Sequence, residues 1–266
     1  MSQDTTQDLP MAQRPIEHLP GHWLLARLGK RVLRPGGKKL TQKLLAAAHL
    51  QGADVVELAP GLGKTAQLIV DAGPKSYRGV DEDAEAVALT AKVVGDRGTV
   101  TQAQSEQTGV DAESADVVVG EAMLTMQGEK GKRAIIAEAH RVLRSGGRYA
   151  IHELCLEPDT LDDEQKTEIR KALARCIKVN ARPLTTAEWT KLLEDQGFCI
   201  QEVNHAGMEL LKPRRNLADE GVRGVATIVK NLIKNPAARK RVLGMRAVFN
   251  KYSDNLAAIA IVAEKA

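Results

Sequence analysis

Apolar residues along this chain keep two rhythms, and the two alternate. In GHWLLARLGKRVL (21–33), KKLTQKLLAAAHL (38–50), KTAQLIVDAG (64–73), AEAVALTAKVV (84–94) and EKGKRAIIAEAHRVLR (129–144) they recur at helical spacing. Between these lie short strand-like runs bounded by turn residues: ADVVEL (53–58), SYRGVDED (76–83), GTVTQAQ (98–104), ADVVVGEAM (115–123) and GGRYAIHELCL (146–156). A charged helix follows at about 161–178. TTAEWTKLLEDQGF (185–198) then carries a capping box, Thr185 with Glu188. FCIQEVNHAGMEL (198–210) and NLAAIAIVAEK (255–265) are the sixth and seventh strands, with two helical segments between them. The alternation predicts an α/β fold, a doubly wound, seven-stranded, mostly parallel sheet with helical additions. The two late strands are expected to form an antiparallel hairpin at one edge. The expected division is a mobile tail over 1–20, a helical cap over 21–50 and a main domain over 51–266, with a helical insert at about 212–254.

Composition narrows the class without naming it. Of 266 residues, 43% are hydrophobic and 27% charged, as in an ordinary soluble domain. The net charge of +4 reads as scattered basic residues, and aromatics are 3%, so neither an electrostatic nor a stacking platform for nucleic acid is expected. Cys155, Cys176 and Cys199 show no CxxC or His spacing, so no metal site is expected, and they fit reduced thiols in a cytoplasm. No apolar run is long enough for a membrane span, and the polar first residues lack the apolar region of a secretory signal.

VVELAPGLGKT (55–65) admits two phosphate or cofactor readings. A P-loop needs a glycine where Leu58 stands, and Pro60 has no N–H to offer an anion. The later strand ADVVVGEAML supplies no magnesium-binding Asp at its end, so Lys64 and Thr65 are read as the first turn of a helix. The other reading is the glycine turn of a cofactor-binding βα unit. In such sheets ligands sit beyond the carboxyl ends of the strands. The residues at those ends are Glu57, Ala59, Gly61 and Gly63, then Asp81, then Gln104 and Ser105, then Glu121 and Ala122, then His152 and Glu153. Asp81 lies 24 residues beyond Glu57, a spacing suited to an acid that bonds ribose hydroxyls. One glycine turn and one such acid fit a nicotinamide dinucleotide as well as S-adenosylmethionine, although the dinucleotide pattern GxGxxG is not complete.

The ordered set of motifs is more specific. VVELAPGLGKTAQLIVDAG resembles the E/D-x-G-x-G motif of class I S-adenosylmethionine-dependent methyltransferases, and GVDEDAEAV their second-strand acidic motif. AQSEQTGVDAESADVVV and IIAEAHRVLRSGGRYAIHE are similar to the third-to-fourth-strand segment and the fifth-strand unit of the type 11, small-molecule subgroup. RPGGKKLT and TTAEWTKLLEDQGF look like the same subgroup, and together these cover most of residues 34–200 in order. The chain departs from the pattern at Ala59, where the family has its first glycine, and at Gln104, where it has Asp. The resemblance implies S-adenosylmethionine as cofactor. Ala59, Gly61 and Gly63 would lie against its methionine part, and Glu57 near its amino group. Asp81 would take the ribose, with Glu82 beside the adenine and Gln104 and Ser105 at its edge. Glu121 and Ala122 would sit near the amino or sulfonium end, and Gly36, Gly37 and Thr41 over the carboxylate.

Methyl transfer from a sulfonium needs an aligned nucleophile and exclusion of water, and no metal. A hydroxyl or amine acceptor also needs a base, for which His152 is the leading candidate, with Glu121 or Glu153 in reserve. The expected acceptor is a small molecule, partly hydrophobic from the apolar residues of the added helices, and no nucleic-acid partner is expected. The rival readings are an NAD(P)-dependent oxidoreductase and a non-catalytic cofactor-binding module.

Overall fold

The computed structural model describes residues 9–11 and 13–266. Eight strands form one mixed sheet: β1 (Asp54–Leu58), β2 (Ser76–Asp81), β3 (Thr99–Gln102), β4 (Ala115–Glu121), β5 (Leu143–Leu156), β6 (Leu184–Thr185), β7 (Phe198–Gly207) and β8 (Leu256–Lys265). The order is β3-β2-β1-β4-β5-β8-β7, with β6 paired to β5. The first five strands are parallel, and β8 runs antiparallel to both β5 and β7. β8 is apolar almost throughout because it is an interior strand, leaving the more polar β7 at the edge. The two-residue β6 carries no apolar run of its own and was not expected.

Nine helices over the described residues complete the fold: α1 (Gly21–Arg27), α2 (Gly37–Ala48), α3 (Lys64–Asp71), α4 (Ala84–Val94), α5 (Glu129–Val142), α6 (Asp163–Ile177), α7 (Thr186–Glu194), α8 (Pro213–Lys234) and α9 (Pro236–Lys251). Leu40, Leu44 and Ile69 pack one sheet face, and Ile135, Ile136 and Trp189 the other. The capping box that starts α7 is complete, with Thr185 bonded to the Glu188 backbone and Glu188 to the Thr185 N–H. α8 and α9 occupy the stretch between β7 and β8 and pack with α1 and α6 around a third apolar cluster that includes Leu24, Leu173, Met245 and Phe249.

Two expectations about the start of the chain need correction. The helix predicted over 21–33 stops at Arg27, because Gly29 takes φ +105° and the following residues run as a loop to Gly36. Part of the tail expected over 1–20 lies outside the described residues. Its later part is docked rather than loose: Leu19 is buried, and the Arg241 guanidinium donates to the carbonyls of Ile16 and Leu19.

Candidate active site

Parallel register brings the strand ends to one edge. Leu58 stands opposite Val80 of β2 and Gly120 of β4, and Glu121 opposite His152 of β5. The Leu58–Gly63 turn bends the chain away from β1 there. Ala59 takes φ +52° while its N–H donates to Val80 O at 2.7 Å, and Gly61 and Gly63 take φ +57° and +68°. A Cβ on Gly61 would meet nothing closer than 3.9 Å, so this backbone presents an open surface. A Cβ on Gly63 would instead press on Val93 at 3.1 Å, so Gly63 serves the packing of α3 against α4.

A cleft of about 390 Å³ lies along this edge. Glu57, Ala59, Gly61, Asp81, Glu82, Ser105, Glu121 and Ala122 line it, together with Arg34, Trp23 and His22 from the segment before β1. Three residues expected in the cofactor site do not line this cleft. Gly63 is turned into the helix pair described above. Gly37 (φ +66°) is covered by Asp219 and Arg215 of α8. Gln104 does not line the cleft and turns back to bridge Gln107, while the neighbouring Ser105 faces in.

The polar groups form a connected set. Asp81 is buried, with its carboxylate accepting from the N–H groups of Gly61 (3.0 Å) and Asp83 (3.1 Å). Burial pushes its pKa up, and those bonds oppose the shift. Burial also raises the Glu57 carboxyl to about 8, despite a 2.7 Å hydrogen bond from the Tyr77 hydroxyl, with the Glu121 charge adding to the rise. Glu121 goes the other way. Burial disfavours its charge, but the Arg34 guanidinium at 3.0 Å, with His152 and Thr41, outweighs that and holds it at about 2. Thr65 also bonds Glu121 and receives the Arg34 guanidinium.

His152 is not positioned as a base. It is fully buried, its Nε2 accepts the Gly36 N–H at 3.2 Å, and its Nδ1 lies 2.8 Å from Glu121 Oε1. The ring proton is therefore on Nδ1, donated to Glu121, and the ring faces neither cavity. Glu121, ionised and held by four side chains, is likewise unsuited to proton transfer. Glu153 accepts three backbone N–H groups, from Met123, Leu124 and Thr125, plus the Thr125 hydroxyl.

Behind Ala122 lies a second, smaller cavity of about 70 Å³ with an almost wholly apolar wall that includes Leu25, Leu173, Met208, Met245 and Phe249. His22, Leu33, Ala122 and Met126 border both spaces. His22 makes no hydrogen bond among the described residues, its ring lies 4.9 Å from that of Trp23, and burial holds its pKa down at about 4. Sequence reasoning missed both Arg34 and His22. Within RPGGKKLT the expectation fell on Gly36, Gly37 and Thr41 and passed over Arg34, and His22 falls inside an ordinary amphipathic pattern.

Comparison with known proteins identifies the family. Residues 56–151 match the family described as "Methyltransferase domain". An uncharacterized protein of Haemophilus influenzae is 33% identical over 251 residues, covering 92% of this chain and 98% of that one. Phosphoethanolamine N-methyltransferase 2 of Haemonchus contortus in complex with S-adenosyl-L-methionine superposes with a TM-score of 0.66 at 18% identity, over 92% of this chain and 56% of that one. Geranyl diphosphate methyltransferase in complex with GPP and sinefungin gives 0.61 at 14%, over 86% and 78%. The fold and the family match therefore define a class I methyltransferase. The chain belongs to the S-adenosylmethionine-dependent methyltransferases of type 11, in one family with the H. influenzae protein.

The residues present fit the cofactor of that family, S-adenosylmethionine. Arg34 is buried with its Nε unpartnered, as a carboxylate-binding group would be. Glu57 and Glu121 offer acceptors for an ammonium, Asp81 for a ribose diol, and the open Gly61 backbone admits close approach.

Proposed function

We propose that this enzyme methylates a small molecule with an apolar body, held in the cavity behind Ala122, and that His22 removes its proton. The observation that carries the reading is the shared border: one uncharged imidazole stands where the polar cleft meets the apolar cavity. Residues 21–50 and the insert of about 212–254 act as the acceptor cap of the domain over 51–266. Three free thiols, with Cys199 exposed, fit a reducing compartment and support a cytoplasmic protein.

S-adenosylmethionine supplies a methyl group already activated by a sulfonium. The chain's own residues do the rest. Arg34 would hold the cofactor's carboxylate, Glu57 and Glu121 would accept from its ammonium, and Asp81 from its ribose hydroxyls, with Glu82 and Ser105 toward the adenine. His152 and Thr41 act at one remove by keeping Glu121 in place. Leu33, Met126 and the cap side chains exclude water, so that His22 meets the acceptor's hydroxyl or amine proton in a dry site.

The test is incubation of the enzyme with labelled methyl donor and a metabolite extract. The expected result is label in a small product that partitions into organic solvent. Label appearing only in protein or nucleic acid would defeat the reading.

A further inference from the structure

Six large apolar side chains are exposed among the described residues, and five lie on α8 and α9: Leu217 (51%), Val222 (76%), Val229 (47%), Ile233 (67%) and Leu243 (56%). In α8 they are ordered. Gly221 breaks the helical geometry, and the helix resumes at Val222. At 100° per residue, Val222, Ala226, Val229 and Ile233 then fall within a stripe of about 60°. Arg223, Lys230 and Lys234 form a parallel row beside it. The inward side is the half-buried set Val225, Ile228 and Leu232. On α9, Leu243 is surrounded by Arg239, Lys240 and Arg246, while Met245 and Phe249 point inward to the small cavity.

Charge distinguishes this segment from the rest of the chain. Residues 212–251 hold eleven Lys and Arg against two Asp and Glu, a net of +9 in a chain whose total is +4, so the remainder is at −5. The expectation of scattered basic charge fails here. Arg223, Lys230, Lys234, Arg239, Lys240 and Arg246 make no side-chain hydrogen bond or ion pair among the described residues. No helix of the described residues is long and apolar enough to cross a membrane.

We propose that the outer faces of α8 and α9 dock on an anionic lipid surface, with the apolar stripe entering the interface and the basic row meeting the headgroups. An apolar stripe edged by cations is the pattern of helices that lie in a bilayer interface. The unpaired cations of that face, Arg223, Lys230, Lys234, Arg239, Lys240 and Arg246, are complementary to anionic lipid and unfavourable for self-association through it. The same α9 carries Met245 and Phe249 of the apolar cavity wall on its inner side.

Vesicle binding is independent of the chemistry of transfer and is read without cofactor or acceptor. The full chain is floated with vesicles of phosphatidylcholine alone, or with phosphatidylglycerol added, at low and high salt. Binding is expected to the mixed vesicles, weaker at high salt and absent from the neutral ones. K230E/K234E and V229D/I233D alter exposed positions and are expected each to lower vesicle affinity by about tenfold or more, with the thermal midpoint and S-adenosylhomocysteine affinity unchanged. Three results would overturn the proposal: no binding to mixed vesicles at low salt, loss with the charge variant but not with the apolar one, or a dimer in light scattering that V229D/I233D dissolves. The second would mark a simple polyanion site and the third a contact between copies.

Discussion

Glu121 receives hydrogen bonds from Arg34, Thr41 and Thr65 and lies against His152, whereas His22, at the other side of the same opening, has no hydrogen-bond partner among the described residues. The strand-tip wall is polar and densely hydrogen-bonded, the Arg34 Nε excepted. Its backbone turns, carboxylates and cation are tied to one another before any ligand arrives. The cap wall is apolar and contributed by α1, α6 and α9, whose helix partner α8 has no fully buried residue at all. The contrast matches two different demands. A cofactor of constant shape rewards a preorganised set of hydrogen-bond partners. An acceptor that differs from one enzyme to another is met by packing, which changes without disturbing the sheet. Proteins of this fold that act on phosphoethanolamine and on geranyl diphosphate illustrate the range.

If the two walls are separable, damage to one should spare the other. The largest effect is expected at His22. His22→Ala should lower kcat by about 10²–10⁴ while S-adenosylhomocysteine affinity, measured by calorimetry, stays at the wild-type level. An equal loss of cofactor affinity would break the separation. The wild-type pH profile carries the same signature. A base at His22 would work uncharged and titrate at about 4, so activity should hold as pH falls through 6.5 and drop only toward 4. A drop centred at 6.5 would point to a solvated histidine instead.

Next in size is Asp81→Ala. Losing charge-assisted bonds to a ribose should weaken S-adenosylhomocysteine on the order of 10- to 100-fold and leave acceptor KM near wild type. Unchanged cofactor affinity would remove Asp81 from the site.

A smaller effect sharpens the electrostatics of the strand-tip wall. With its pKa raised to about 8, Glu57 is protonated at pH 7 in the free protein. An ammonium beside it favours the carboxylate, so cofactor binding at pH 7 should release up to one proton, seen as buffer-dependent binding heat that Glu57→Gln abolishes. The folded state also holds this proton more tightly than the unfolded chain. Stability of the free protein should therefore fall as pH rises from 4.5 to 8, and less so in Glu57→Gln. The smallest effect is Ala59→Gly. Relief of a left-handed alanine should stabilise the fold by about 1 kcal/mol, read as a modest rise in thermal midpoint.

Local pattern reached the sheet and half of the site. Runs such as ADVVVGE and LAAIAIVAEK are strands in any context that buries both faces, and the glycine turn with Asp81 is written within thirty residues of chain. Pattern misjudged what depends on a partner far away in sequence. Gly37 resembled a cofactor loop residue but lies beneath Asp219, some 180 positions on. His152 stood at a strand tip and looked available, yet Gly36 and Glu121 occupy both its nitrogens.

Sequence alone determined the order of strands and helices through side-chain periodicity, and the class of cofactor through the resemblance of an ordered set of motifs across residues 34–200, because both are written along the chain. Tertiary structure alone decided that β8 lies inside the sheet, that Arg34 turns into the cleft while His152 is sealed, and that His22 meets an apolar cavity. Those outcomes depend on which distant surfaces touch, and burial acts on a side chain only after they do.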